Sequence, residues 1–169
     1  FHLSNLKLID DLINNSNSKR LLISTGVSSI SEIISVNKIY DECNKINKPK
    51  LVFMHCISKY PIINKKDNHL ENIKFISSIT GKKVGFSDHS LGHDSAIIAT
   101  ALGAEVIEKH FTIDNNIEGA DHKMSANPKI FKELVNQCRL TIDYLGSKRG
   151  NKPFDCEKEI IQYRVSSEK

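Results

Sequence analysis

Two histidines in this sequence stand at the ends of neighbouring apolar runs, and together they could bind a metal ion. His89 closes VGFSDH and His110 closes VIEKH, 21 residues later. The small, apolar segment 96–104 between them predicts a helix, and two parallel strands joined by one helix bring their C-terminal ends to the same face of a sheet. Neutral imidazoles on one rim can hold a common divalent ion. Each follows a charged residue, Asp88 or Lys109, that could support it through hydrogen bonds. Two separate structural histidines are the alternative.

Hydroxyl groups follow the same pattern at the ends of the predicted strands. They belong to Ser24, to Ser58 with Tyr60, and to Ser87. Hydroxyls and backbone N–H groups at a helix N-terminus favour an anion such as a phosphate or a carboxylate. Ordinary caps of βα turns are the alternative. Asp121 lies in a long polar loop, 114–125, where it is either solvated or a partner for a substrate hydroxyl.

The elements that would position these groups alternate along the chain. Strands are predicted at 20–23, 51–55, 83–86 and 105–110, and the first is expected to be buried. Helices are expected between them, so the sheet should be parallel. Four βα units form half of an eight-stranded barrel or a small open sheet, and composition alone does not decide between the two.

Local signals mark the expected ends of the helices. Ser4 is a candidate N-cap for a helix over 4–14, and Ser29 with Glu32 has the spacing of a capping box. Gly81 should end a third helix, and Asn127 followed by proline should begin the last one. His55 alternates inward along its strand and is expected in the core.

Composition excludes several classes of function. The chain has 39% hydrophobic and 26% charged residues and a net charge of +4, and its lysines are not interleaved with aromatic residues as on a nucleic-acid surface. No apolar run approaches the ~20 residues of a membrane span. Four cysteines without a CxxC motif favour a reduced, cytoplasmic compartment. These features are compatible with an anionic small-molecule substrate.

Five motifs occur in an order and spacing that resemble the sialic acid synthase family: ISTGV (23–27), HCISKYP (55–61), VGFSDHSLG (84–92), VIEKHFT (106–112) and GADHKMS (119–125). Members of that family condense phosphoenolpyruvate with an N-acetylated amino sugar to make nonulosonic acids. The family includes N-acetylneuraminate, legionaminate and pseudaminate synthases.

The resemblance implies a (β/α)8 TIM barrel followed by a small antifreeze-protein-like domain in a homodimer. Residues 1–146 look like the last four βα units of the barrel, and 147–169 look like the linker towards that domain. In this linker, the sequence YRVS (163–166) resembles a family segment. Because the chain begins with Phe1 and not with methionine, we expect that an N-terminal part of a longer protein is absent.

The resemblance also assigns roles to the rim residues. His89 and His110 fall on the two ligands of a catalytic Mn²⁺ or Mg²⁺ ion, and Ser24 and Ser87 fall on positions that hold phosphoenolpyruvate. Ser58 stands where some members carry asparagine at a phosphoenolpyruvate contact. Tyr60 and Asp121 fall near the acceptor sugar, and Asp121 is expected to accept a hydrogen bond from it.

The family's catalytic acid and its phosphate-binding lysines come from the first four strands of the barrel. We therefore expect this piece alone to have no catalytic activity. Two alternatives stay open from the sequence. One is another barrel enzyme that uses phosphoenolpyruvate or a metal, such as a 3-deoxy-sugar-acid synthase or an aldolase. The other is a non-catalytic remnant of a truncated gene.

Overall fold

The computed structural model describes residues 2–148 and 150–165, and its centre is a four-stranded parallel sheet. The strands lie side by side in chain order: β1 (Arg20–Ser24), β2 (Lys50–His55), β3 (Lys83–Asp88) and β4 (Ile107–Lys109). The α-helices of this described part are α1 (Leu6–Asn15), α2 (Ile30–Glu42), α3 (Asn72–Thr80), α4 (Asp94–Ala101) and α5 (Pro128–Leu145). Short 3₁₀ turns cover Lys65–Asn68, Asp155–Glu157 and Ile161–Tyr163.

The apolar core lies on one face of this sheet. Alternate strand residues pack there against the helices: Ile23, Leu51, Phe53, Val84 and Phe86 meet Ile13, Ile33, Val36, Ile73, Ile76 and Ala99. The core contains residues of α1 to α4, all against the same strand face. A doubly wound open sheet has helices on both faces, whereas a barrel has them only outside. This single helical layer therefore favours the half barrel over the open sheet.

The N-terminal ends of the strands are joined by charge. The carboxylate of Glu105 lies 2.9 Å from the ammonium of Lys50, 3.7 Å from the guanidinium of Arg20 and 4.0 Å from the ammonium of Lys83. The hydrogen bond from Lys50 is the main cause of the lowered pKa of Glu105. These three cations begin β1, β2 and β3. The carboxylate of Glu105 therefore connects the N-terminal ends of these strands, at the end of the sheet opposite the predicted site.

Several predicted helix ends are confirmed. Ser29 and Glu32 form the capping box of α2, Gly81 ends α3 in the left-handed conformation with φ 67°, and Asn127 caps α5. His55 is buried, with 3% of its surface exposed. The predicted cap of the first helix is wrong by one residue, because Asn5 and not Ser4 accepts the hydrogen bond from the N–H of Leu8.

Two strands differ from their predictions. β1 is not buried on both faces, because it lies at the sheet edge and Leu22, on the face opposite the core, is 43% exposed. β4 covers three residues and not 105–110, although the N–H of Glu105 still donates to the carbonyl of Val84 at 2.8 Å. The predicted domain boundary after residue 146 coincides with the end of α5 and stays a prediction. In the YRVS segment, Ser166 lies outside the described residues.

None of the helices that the structure describes has the length and apolar character needed to cross a membrane.

Candidate active site

A polar pocket with a volume of about 210 Å³ lies at the C-terminal ends of the four strands, on the sheet face opposite the core. Residues at the ends of all four strands contribute to it because alternate side chains of parallel strands in register point to the same face. Its lining is Ser24, Gly26, Cys56, Ser58, Tyr60, Ser87, His89, Glu108 and His110. Every predicted site residue except Asp121 therefore lines one pocket.

The two histidines are neighbours in space, as their positions in the sequence predict. Their ring centroids are 5.5 Å apart, with the rings edge to face. His89 is buried, and its Nδ1 lies 2.7 Å from the carbonyl oxygen of Ile57. Because a carbonyl can only accept, Nδ1 carries a proton, and in the neutral ring the lone pair is then on Nε2, which lies 3.4 Å from the Ser87 hydroxyl. Such a bond from the second ring nitrogen is the usual support of a metal-binding histidine.

These residues fit part of a metal site. The chain offers two imidazoles on one wall of the pocket, and no group of three or more His, Cys, Asp or Glu residues suited to an ion occurs within 2–148 and 150–165. An ion such as Mn²⁺ or Mg²⁺ prefers six ligands, most of them oxygens. The remaining ligands would have to come from water, a substrate or other parts of a longer protein.

Tyr60 packs against both imidazoles. Its ring centroid is 4.1 Å from that of His89 and 5.8 Å from that of His110, and the side chain is half-exposed. Partial burial raises the pKa of the Tyr60 phenol, and the nearby Cys56, Asp121 and Glu108 raise it further. The phenol therefore stays protonated at neutral pH and can donate a hydrogen bond to a bound molecule.

The structure adds pocket residues that sequence reasoning missed. Glu108 is the one carboxylate in the described lining, and it accepts a 2.5 Å hydrogen bond from the Ser87 hydroxyl. It stands two residues before His110 in the strand predicted over 105–110, so the alternation of side chains along a strand could have placed both on the same face. The thiol of Cys56 is also in the lining, and burial raises its pKa, which keeps it in the unreactive protonated form.

Gly26 keeps the pocket open beneath the first turn. A Cβ atom at this position would lie 2.5 Å from the Ser58 hydroxyl and 2.8 Å from the Cys56 sulfur, closer than real Cβ contacts. The glycine of the Ser-Thr-Gly turn therefore allows the backbone to approach the neighbouring strand end closely.

Asp121 reaches the rim from the loop after β4. Its Oδ2 lies 3.8 Å from Nδ1 of His110, while its side chain stays 53% exposed. The loop is attached to the barrel rim because Thr112 Oγ1 lies 2.8 Å from His122 Nδ1 and the N–H of Thr112 donates to the carbonyl of Ala126. Asp121 thus lies beside the pocket, at its solvent side.

The residues that precede the histidines do not support the imidazoles directly, contrary to the prediction. Asp88 and Lys109 are on the opposite face of the sheet and form a buried ion pair with each other, 2.9 Å apart. Alternation along the strand causes this, because neighbours of an inward residue must point outward.

The parallel strands, the single helical layer and the polar pocket at the strand C-termini define one half of a β/α barrel with an enzyme-like site. A family model, the NeuB family, matches residues 1–150, and the chain belongs to this family. A curated protein of Methanocaldococcus jannaschii without a known function is 44% identical over 146 residues, covering 85% of this chain and 41% of its own length.

Other relatives have names that describe an activity. The pseudaminic acid synthase of Campylobacter jejuni serotype O:2 is 35% identical over 147 residues, covering 87% of this chain and 40% of its own length. The crystal structure of the N-acetylneuraminic acid synthetase of Leptospira borgpetersenii superposes with a TM-score of 0.84 at 32% identity, covering 96% of this chain and 54% of that one. The chain thus spans about two fifths of the length of these curated relatives and is confirmed as part of a TIM barrel.

Proposed function

We propose that this chain is the second half of the catalytic barrel of a nonulosonic acid synthase. The reaction would join C3 of phosphoenolpyruvate to the aldehyde carbon of an open-chain N-acetylated amino sugar. Water would add at C2, and phosphate would leave by cleavage of the C–O bond. The observation that carries the proposal is the rim pocket, which combines a pair of histidines with the hydroxyls of Ser24, Ser58 and Ser87 in a member of the NeuB family.

The three serine hydroxyls would orient the anionic substrate. They come from the ends of β1, β2 and β3, so they converge on the pocket from three directions. Among the described residues that line the pocket, none is lysine or arginine. Hydroxyls alone do not compensate the charge of a phosphate and a carboxylate. The compensating cations would therefore come from a bound metal ion and, as the resemblance implies, from the first half of the barrel.

His89 and His110 would hold Mn²⁺ or Mg²⁺. When bound, the ion would supply Lewis-acid polarisation of the sugar aldehyde and a lowered pKa of bound water. The hydrogen bond from Nδ1 of His89 to Ile57 selects the neutral tautomer in which Nε2 could bind the ion. In this structure Glu108 accepts the proton of the Ser87 hydroxyl, so that hydroxyl would have to turn away from Glu108 to donate to the anionic substrate.

Tyr60 and Asp121 would bind the sugar. The protonated phenol of Tyr60 can donate to a hydroxyl or an N-acetyl carbonyl, and the exposed Asp121 carboxylate can accept from a sugar hydroxyl. The loops around this rim would decide which amino sugar binds. The relatives are named for different products, pseudaminic acid and N-acetylneuraminic acid. The homodimer that the resemblance implies and the cytoplasmic location that the cysteines favour belong to the same proposal.

The experiment is an assay of the complete protein that contains this chain. Phosphate release from phosphoenolpyruvate is measured with N-acetylmannosamine, with diacetamido sugars and with non-acetylated sugars, before and after removal of metal by a chelator. His89→Ala and His110→Ala are compared with His2→Ala, an exposed histidine outside the pocket. We expect release that needs an acetylated sugar and a metal, survives in His2→Ala and is lost in the two rim variants.

Other results would contradict this proposal. If phosphate release is unchanged in both His89→Ala and His110→Ala, the assignment of these histidines as metal ligands is wrong. Turnover with non-acetylated sugars alone would favour another class of barrel synthase. A complete reading frame without any activity would favour the non-catalytic remnant.

A further inference from the structure

We propose that the buried ion pair between Asp88 and Lys109 is a positioning device that fixes His89 against His110. The two charged side chains are not in the pocket lining and would act from the opposite face of the sheet. Their consequence for activity rests on the proposed function, whereas the alignment of the two histidines does not.

The pair joins the last residues at which β3 and β4 are in register. Asp88 and Lys109 are direct partners in the ladder, and the ammonium lies 2.9 Å from Oδ2 of the carboxylate. Their side chains are 0% and 2% exposed. Each is followed at once by a pocket histidine, so the two imidazoles lie directly beyond the last paired residues of β3 and β4, on the face opposite the ion pair.

Lys109 contacts the residues on both sides of His89. Its ammonium donates to the carboxylate of Asp88, which precedes His89, and to the carbonyl of Ser90, which follows it. The carboxylate in turn accepts from the N–H of Ser90 at 2.8 Å and from the Ser90 hydroxyl at 2.7 Å. The turn that carries His89 is therefore closed around one ammonium group, and that ammonium belongs to the residue before His110.

The same carboxylate also attaches the following helix. The hydroxyl of Ser95, in the first turn of α4, donates to Oδ2 of Asp88 at 2.8 Å. Four donors thus surround the Asp88 carboxylate, which accounts for the full burial of a charge at this point. The start of α4, the end of β3 and the end of β4 meet in one hydrogen-bonded cluster.

Backbone pairing between β3 and β4 is short, although the N–H groups of Glu105 and Phe86 extend it by donating to the carbonyls of Val84 and Val106. β4 has three residues and pairs with β3 at three positions, and all of its residues are partly or fully exposed. A slip of one residue would turn His110 to the outer face, since side chains alternate along a strand. On the pocket face the Ser87 hydroxyl donates to Glu108 across the two strands, and both groups would face the substrate. The Asp88–Lys109 pair holds the register without occupying the pocket.

The test uses the complete protein and three variants, Asp88→Asn, Lys109→Met and the double variant. Lys82→Met is the matched control, because Lys82 is also paired with an aspartate, Asp41, but far from the pocket. Three quantities are measured: the melting temperature, the ¹⁵N resonances of the histidines in metal-free protein, and the affinity for Mn²⁺ from the paramagnetic signal of the free ion. Resonances are assigned with His89→Gln and His110→Gln.

We expect each single variant to melt lower, because it leaves one buried charge without its partner. The double variant buries no unpaired charge and should recover most of the melting temperature. Its His89 and His110 resonances should nevertheless be displaced, with those of His55 and His122 in place, and its Mn²⁺ affinity should be about 10-fold or more below that of the wild type. Lys82→Met should change neither the histidine resonances nor the Mn²⁺ affinity.

A double variant with wild-type histidine resonances and wild-type Mn²⁺ affinity would overturn the proposal and leave the pair a purely stabilising role. If the double variant does not fold, Ser95→Ala is used in its place, because this variant keeps both charges and removes one donor to the Asp88 carboxylate. Unchanged His89 resonances in Ser95→Ala would overturn the proposal equally. A wild-type protein that binds no Mn²⁺ would contradict the metal assignment, while displaced resonances in the double variant would still support the positioning role.

Discussion

The Asp121 carboxylate lies beside the His110 imidazole, with Oδ2 3.8 Å from Nδ1, although the two residues belong to different parts of the rim. His110 directly follows β4 and lines the pocket, and Asp121 stands in the loop that returns over it. The side chain of Asp121 is 53% exposed and that of His110 is 32% exposed. The carboxylate therefore has one side towards the imidazole and the other free for a ligand from solvent.

The first prediction concerns this carboxylate. In the complete protein, Asp121→Asn should lower kcat/KM for the acceptor sugar by about 10- to 100-fold, because a hydrogen bond to a charged acceptor contributes about 1.5–3 kcal/mol. The KM for phosphoenolpyruvate should change little. Initial rates with each substrate varied in turn measure both effects. Glu118→Gln, an exposed carboxylate of the same loop, is the control and should behave as the wild type.

A second prediction concerns the order of the loop that carries Asp121. The side-chain amide of Asn115 donates to the carbonyls of His122 at 2.7 Å and Ser125 at 2.9 Å, and its oxygen accepts from Asn127 at 3.0 Å. Asn115→Ala removes these three hydrogen bonds, so the free energy of unfolding should fall by about 1–3 kcal/mol.

The same Asn115→Ala variant should raise the KM for the sugar several-fold, because Asp121 would no longer be held near His110. Urea denaturation and steady-state kinetics measure the two effects. Asn116→Ala changes the adjacent asparagine, whose side chain bonds only Asp114 among the described residues, and should have little effect on either quantity. Equal effects of the two variants would argue against a specific role for Asn115.

A third prediction is a dependence of stability on pH. His55 is buried, its ring stacks on that of Phe86 and its Nε2–H donates to the carbonyl of Asn68 at 2.8 Å. Burial lowers the pKa of His55 below its ordinary value, and the bond to Asn68 opposes this only partly. The unfolded chain therefore binds a proton more readily than the folded one, and stability falls as the pH falls below about 6.5.

Replacement of this histidine should remove its share of the pH dependence. In His55→Gln the free energy of unfolding should vary less between pH 7 and pH 5, since one group contributes at most about 1.4 kcal/mol per pH unit in this window. Urea denaturation at several pH values measures the slope. His2→Gln, at an exposed position, should keep the wild-type slope. An unchanged slope in His55→Gln would show that other groups cause the acid sensitivity.

The sequence predicts the arrangement of the strands and the convergence of the rim residues for a clear physical reason. Parallel βα units bring all strand ends to one side, so His89, His110 and the serines of the turns had to lie together once the strands were located. The partners of each side chain are less predictable. Asp88 and Lys109 are adjacent to the histidines in sequence but face away from them, because alternation along a strand outweighs proximity in the chain.

Other parts of the pocket depend on contacts between distant segments. The sequence does not show that Gly26 allows close approach to Cys56 and Ser58, because the distance between two turns is set by the packing of whole βα units. The exposure of Leu22 likewise reflects its place on the inner face of an edge strand, whereas its apolar neighbours suggested a buried one. Local patterns locate elements, and tertiary contacts decide which of their faces are covered.

The fourth prediction concerns the inner face of the sheet beneath the pocket. Gly85 pairs in register with Met54, and the Met54 side chain occupies the space above the glycine. A Cβ atom at Gly85 would overlap the Met54 sulfur and would lie 2.8 Å from the carbonyl oxygen of Val106. Because the carbonyl belongs to the backbone, a rotation of the methionine alone cannot relieve the overlap.

Gly85→Ala should therefore lower the free energy of unfolding by about 1–3 kcal/mol, the usual effect of an additional methyl group in a packed interior. Urea denaturation measures it as a lower midpoint with an unchanged slope. Gly150→Ala is the control, since a Cβ atom there meets nothing within 4 Å. A wild-type midpoint for Gly85→Ala would show that β3 and the chain around Val106 can separate freely, and the packing argument for a glycine at this position would then be wrong.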